Sequence, residues 1–212
     1  MALEKVIETN GTSIAIWQVE ESIEELSAML DMSIVEKIIG RYSNKKRIRE
    51  QLTSHLLLKE LSGKTKEITH LPNGAPQIEG DDRFISISHS RKSIAVAISN
   101  KPIGIDIEEI NRKQYELHKR FTTPSEQKWI EENSNPHQKQ LIAAIIWSAK
   151  EAIYKLANIE GLLFESEIEI TPFSPNEHNQ TMQFNATYRN TSCKCELLVV
   201  SRQLLVVSYQ TD

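Results

Sequence analysis

Four short stretches of the chain carry side chains whose types and spacing could do chemistry. In Pro102-Ile103-Gly104-Ile105-Asp106-Ile107-Glu108 the isoleucines alternate with the other residues, as in a strand whose successive side chains face opposite ways. Asp106 and Glu108 then share one face, about 6.5 Å apart along the strand, with Gly104 beside them. Two carboxylates so placed suit a divalent cation such as Mg²⁺, which takes hard oxygen ligands and keeps several waters. Gly104 would leave room for a substrate. An edge strand with its polar face in water is the plain alternative. In Trp147-Ser148-Ala149-Lys150-Glu151-Ala152-Ile153-Tyr154-Lys155, residues three or four apart share a helix face, so Trp147, Lys150 or Glu151, and Lys155 form one stripe. Glu151 and Lys155 also read as an ordinary surface ion pair, worth a few tenths of a kcal/mol at most, and Trp147 as a core residue.

The third stretch, Ser86-Ile87-Ser88-His89-Ser90-Arg91, ends a strand at a turn, where a histidine flanked by serines can donate hydrogen bonds to a phosphate. It lacks the G-x-S-x-G frame of a serine hydrolase. The fourth is Arg41-Tyr42-Ser43-Asn44-Lys45-Lys46-Arg47-Ile48-Arg49, where five of nine residues are cationic in a chain of net charge −4. Cations crowd a helix start there, against the helix dipole, which favours an anionic partner. A nucleotide phosphate fits; a long nucleic acid would want a wider positive surface.

These residues need positioning, and the hydrophobic pattern supplies the elements. A strand over 13–19 is followed by the capping box Ser22-Ile23-Glu24-Glu25 and a helix to about Leu30. A second helix is signalled at Ser33 and ends near Gly40. A third runs from Ser43 to about Leu61, with Ile48, Leu52, Leu56, Leu57 and Leu61 at helical spacing and Gly63 as its stop. Pro72-Asn73-Gly74-Ala75-Pro76 is a turn. Strands follow over 84–89, 94–98 and 103–108. Thr123-Pro124-Ser125-Glu126 opens a helix, a longer one covers about 136–158, and strands close the chain over 167–170, 182–188, 193–200 and 204–208. Each half therefore reads as helices followed by an antiparallel sheet. The hairpins over 85–99 and 196–208 also resemble each other, with Ser-Arg at both turns. The expected fold is α+β with two similar lobes, residues 1–101 and 102–212.

Composition narrows the function classes. With 212 residues, 39% hydrophobic and 25% charged, the chain can bury a core. It has no apolar run long enough to span a membrane and no signal-peptide core at the N-terminus. Its two cysteines cannot make a disulfide framework, so a cytoplasmic location is expected. The net charge argues against general nucleic-acid binding. Walker A, G-x-G-x-x-G and H-E-x-x-H motifs are missing. Cys193-x-Cys195 reads as strand packing rather than zinc ligation, and His55, His70, His118, His137 and His178 show no metal-ligand spacing.

In order and spacing, His89-Ser90 after a strand, Gly104-x-Asp106-x-Glu108, and Trp147-Ser148-x-Lys150-Glu151-x-x-x-Lys155 together resemble the 4′-phosphopantetheinyl transferase superfamily. The closer resemblance is to its Sfp-type branch, whose single chain contains two similar halves. Arg120-Phe121 before Thr123-Pro124-Ser125-Glu126 also resembles a family segment. The resemblance implies Mg²⁺-dependent transfer of the phosphopantetheine arm of coenzyme A to a serine of an apo acyl or peptidyl carrier protein, releasing adenosine 3′,5′-bisphosphate. It implies a monomer with the active site in the cleft between its lobes. Asp106, Glu108 and Glu151 would hold the metal, and Lys155, with Lys150, would stabilise charge on the pyrophosphate. Glu151 or a metal-bound water would be the base, a choice the sequence leaves open. His89 and Ser90 would bind coenzyme A phosphates, and Arg47 or Arg49 the 3′-phosphate. Carrier docking would use the basic segment or apolar contacts near Phe121. Three positions depart from the family pattern: Ala75 stands where a lysine is usual, Arg91 where a glycine is usual, and Ile159-Glu160-Gly161-Leu162 lacks a usual basic residue. A non-catalytic coenzyme A-binding module and a metal-dependent phosphodiesterase are the competing readings.

Overall fold

A computed structural model describes residues 3–110, 112–133, 135–175, 181–201 and 203–211; His178 and Arg202 lie outside them. The chain divides into two compact units, Met1–Lys101 and Pro102–Asp212. Both mix helices with antiparallel sheet. Among the described residues no helix is long and apolar enough to cross a membrane.

The first unit opens with a hairpin, β1 (Leu3–Thr9) and β2 (Thr12–Gln18). Three helices follow: α1 (Ile23–Ser27), α2 (Met32–Arg41) and α3 (Lys45–Ser62). Ser22 and Glu25 form the expected capping box. The second helix starts at Met32 on Asp31 rather than at Ser33, and it runs through Gly40 to Arg41. Asn44 caps α3 by accepting from Lys46 N and Arg47 N, and Gly63, at φ +73°, ends it in the left-handed conformation. The Asn73-Gly74 turn joins β3 (Ile68–His70) to β4 (Pro76–Ile78). The last two strands, β5 (Phe84–His89) and β6 (Ser93–Ser99), complete a sheet of order β1-β2-β6-β5. Ile48, Leu52, Leu56 and Leu57 of α3 join Trp17, Ile85, Ile94, Val96 and Ile98 in one apolar cluster.

His55 ties α3 to β3. Its Nδ1 lies 2.8 Å from Gln51 O and its Nε2 accepts from Ile68 N at 3.2 Å. An acceptor at Nε2 requires a neutral ring with the proton on Nδ1, and burial holds the pKa of His55 below its ordinary value. The unfolded chain takes up the proton near pH 6.5 whereas the folded chain resists it, so stability falls as pH drops below about 6.5. We expect the melting temperature to fall between about pH 7.5 and pH 5.5, and to fall less in His55→Gln. An equal fall in both proteins would exclude this origin.

The second unit starts with a strand, β7 (Ile103–Glu109). Then come α4 (Arg112–Leu117), a 3₁₀ turn (His118–Arg120), α5 (Pro124–Glu132), the long α6 (Pro136–Ala157) and the short α7 (Phe164–Glu167). The remaining strands are β8 (Ile168–Ile170), β9 (Thr181–Tyr188), β10 (Thr191–Val200) and β11 (Gln203–Gln210), in a sheet of order β7-β11-β10-β9-β8. Cys193 and Cys195 are buried on one face of β10, among the apolar residues of α6 and the sheet.

Neither unit is simply helices followed by sheet. In both, the strand preceding the helices returns to pair antiparallel with the last strand: β2 with β6, and β7 with β11. The last strand also pairs with the one before it, so β2-β6-β5 and β7-β11-β10 share one order. Each sheet has its long helix packed on the first and last of these strands, α3 in one unit and α6 in the other. A strand that precedes its helices in sequence joins the sheet only through this non-local pairing, which local periodicity does not reveal.

Candidate active site

The polar face of β7 is not in water. It lies against α6, and the approach at Gly104 is tight: a Cβ there would sit 1.9 Å from Ala152 O and 2.6 Å from Leu156 N. Gly104 thus makes room for a helix backbone rather than for a substrate. Asp106, one pleat further along, is only 4% exposed.

Successive residues of α6 reach down to this face. Trp147 Nε1 donates to Glu108 Oε1 at 3.1 Å. Ser148 Oγ donates to Asp106 Oδ2 at 2.9 Å. Lys155 Nζ, one turn beyond Glu151, donates to Asp106 Oδ1 at 3.0 Å and to Ile105 O at 2.9 Å. Lys155 is therefore drawn into the β7 face and is not half of an exposed pair with Glu151. Trp147 is a packing residue as well, edge-on to Phe121 with ring centroids 5.0 Å apart. Phe121 is itself buried.

Asp106, Glu108 and Glu151 lie near enough for their charges to act on one another, with Lys155 bonded to Asp106. Burial pushes Glu108 up to about 7; the neighbouring charges of Asp106 and Glu151 add to this, and the Trp147 hydrogen bond opposes it. Burial also raises Glu151, with Lys155 opposing and Asp106 adding. Among the described residues no three side chains are already gathered tightly enough to enclose a metal ion. The fit is one of donor chemistry: hard carboxylate oxygens, partly desolvated and mutually repelling, gain from a divalent cation.

Lys150 is elsewhere, which corrects its expected place beside the pyrophosphate. It is fully buried, and its Nζ lies 2.7 Å from Glu126 Oε2, Phe164 O and Ile168 O, using all three of its donors. Glu126 accepts in addition from Thr123 N and Ile170 N, at 2.7 and 2.8 Å. The pair pins α5, α6 and β8 together. Desolvation dominates both groups, lowering Lys150 and raising Glu126. Lys150→Met should cost about 3–5 kcal/mol by stranding a buried carboxylate, and the added Glu126→Gln should restore much of it. Urea unfolding of both variants checks this; equal stability of single and double variants would refute it.

In the first unit, Arg49 and Ser90 meet in a groove between the start of α3 and the β5–β6 turn, lined also by Lys46, Glu50, Arg91 and Lys92. The basic run and the serine turn, remote in sequence, so share a positively charged surface. Arg47 does not line it but lies beside it, 3.2 Å from Glu50 and with its guanidinium 5.8 Å from the Tyr42 ring centroid. His89 ends β5 next to the groove without lining it.

Comparison with known proteins matches the same region. The family model of the 4′-phosphopantetheinyl transferase superfamily covers residues 102–207, half of the chain. The chain belongs to that superfamily. Among curated members it is similar to a 4′-phosphopantetheinyl transferase of Bacillus subtilis, 36% identical over 85 residues, which are 40% of this chain and 38% of the relative. It is also similar to the 4′-phosphopantetheinyl transferase gsp of Aneurinibacillus migulanus, 29% identical over 125 residues, 54% of this chain and 51% of the relative. The chain thus matches about half the length of these relatives or less. The superfamily match spans the β7 and α6 residues that bring the carboxylates together.

Sequence reasoning missed three contacts: Ser148 to Asp106, Trp147 to Glu108, and Glu126 to Lys150. Helix geometry held part of the signal. At about 100° per residue, Trp147, Glu151, Lys155 and Ser148 fall within one 100° arc, and Lys150 falls outside it.

Proposed function

We propose that this protein transfers the phosphopantetheine arm of coenzyme A to a serine hydroxyl of an apo carrier protein, with Mg²⁺ as cofactor, releasing adenosine 3′,5′-bisphosphate. The observation that carries the proposal is that α6 holds Asp106 through Ser148 and Lys155, and Glu108 through Trp147, with Glu151 on the same helix stripe, within the stretch that matches the superfamily.

The carboxylates of Asp106, Glu108 and Glu151 would hold the cation, which when bound neutralises charge on the pyrophosphate. The serine oxygen forms a bond to the phosphorus bearing the pantetheine arm, and the bond from that phosphorus to the adenosine bisphosphate oxygen breaks. The serine proton must leave. Glu151, whose carboxyl burial raises, would receive it. Lys155 stabilises negative charge developing on the departing phosphate oxygen. Phosphoryl transfer asks for positioning and charge neutralisation rather than protein nucleophiles, which suits a face built from three acids and one ammonium.

Coenzyme A would place its phosphates along the basic surface of the first unit, where Arg49 and Ser90 line the groove and His89 and Arg47 lie close by. Reversing charge with Arg49→Glu should raise the KM for coenzyme A about tenfold or more, the scale of one lost charge-assisted hydrogen bond. An unchanged KM would remove Arg49 from the binding surface. The shared strand order supports two duplicated lobes, residues 1–101 and 102–212. A cytoplasmic monomer acting on carrier proteins, with neither nucleic acid nor membrane as partner, completes the reading.

Intact-protein mass spectrometry of an apo carrier protein incubated with this protein, coenzyme A and Mg²⁺ tests the proposal. A mass gain of one phosphopantetheine arm, abolished by EDTA, is the expected result. Coenzyme A binding without any gain across several carriers would favour a non-catalytic module. Coenzyme A cleavage without carrier would favour a phosphodiesterase.

A further inference from the structure

We infer that Ser148 is a positioning residue, whose hydroxyl fixes the carboxylate of Asp106 for cation binding; this rests on the proposed transferase reading. Ser148 is fully buried on α6. Its Oγ is 2.9 Å from Asp106 Oδ2 and 3.4 Å from the Asp106 backbone oxygen. Lys155 Nζ holds the other oxygen, Oδ1, at 3.0 Å.

The two donors do different work. Lys155 supplies charge, but it sits at the end of four rotatable bonds and is partly exposed. The serine hydroxyl is on a short side chain, inside a packed helix. It is therefore a rigid stop against rotation of the Asp106 carboxyl group about its Cβ–Cγ bond. Partners of this kind orient metal-binding carboxylates, and losing one typically weakens metal affinity about 10–100-fold.

The test uses the full-length protein with Mn²⁺ as probe, titrated under electron paramagnetic resonance, which reads the free ion and needs no turnover. Ser148→Ala should weaken Mn²⁺ binding about 10–100-fold. Ser148→Thr and Ser148→Val differ from each other only in a hydroxyl against a methyl group. The threonine variant should keep affinity near wild type, and the valine variant should lose it as alanine does. Melting temperatures run in parallel separate loss of fold from loss of orientation, since alanine removes one atom from a packed site. Alanine binding Mn²⁺ as well as wild type, or threonine and valine binding it equally, would overturn the inference while leaving the transferase reading intact. Wild-type protein that neither binds Mn²⁺ nor modifies a carrier would overturn both.

Discussion

Glu151→Gln is expected to lower the rate of phosphopantetheine transfer by roughly 10²–10⁴-fold, the usual worth of a positioned general base. The amide matches the acid in size but neither takes up a proton at neutral pH nor carries charge for a cation. Glu151 lies on the stripe of α6 that faces β7, and burial raises its pKa, so its carboxylate is already costly to keep ionised. Replacing it with a neutral isostere should leave melting temperature near wild type while removing activity. Single-turnover transfer followed by intact mass reads the chemical step directly. Glu151→Gln at wild-type rate would show that this carboxylate is neither base nor ligand.

The second large effect is expected at Gly104→Ala. Its one added methyl group would lie 1.9 Å from the carbonyl oxygen of Ala152 and 2.6 Å from the amide nitrogen of Leu156. Both obstacles are backbone, so no side-chain rotation relieves them, and α6 must move off β7. Overpacking of this kind commonly costs about 1–3 kcal/mol, and a clash against backbone should reach at least the upper end. The same displacement separates Asp106 from Ser148 and Lys155, contacts of 2.9 and 3.0 Å, so activity should fall beyond what the stability loss explains. Urea unfolding gives the first quantity, and transfer assays at a temperature where the variant stays folded give the second. A variant as stable and active as wild type would mean that α6 does not seat on this glycine.

These two residues mark how far the sequence reached. Local patterns determined the elements. The capping box at Ser22, the left-handed stop at Gly63, and the alternation of β7 each depend on a few neighbours along the chain, and such signals survive without tertiary information. The carboxylates of Asp106 and Glu108 were legible for the same reason, because alternation alone places them on one face. Glu151 and Lys155 came from the resemblance in motif order.

Tertiary structure decided what each side chain meets. Whether Gly104 faces a ligand or a helix depends on where α6 lies. Whether a lysine on α6 serves the site or the core depends on partners far along the chain: Asp106 for Lys155, Glu126 and two backbone carbonyls for Lys150. The joining of Arg49 to Ser90 in one groove likewise needs α3 to fold back beside the β5–β6 turn. Spacing along a chain specifies which residues share a face, but only packing specifies what lies opposite that face.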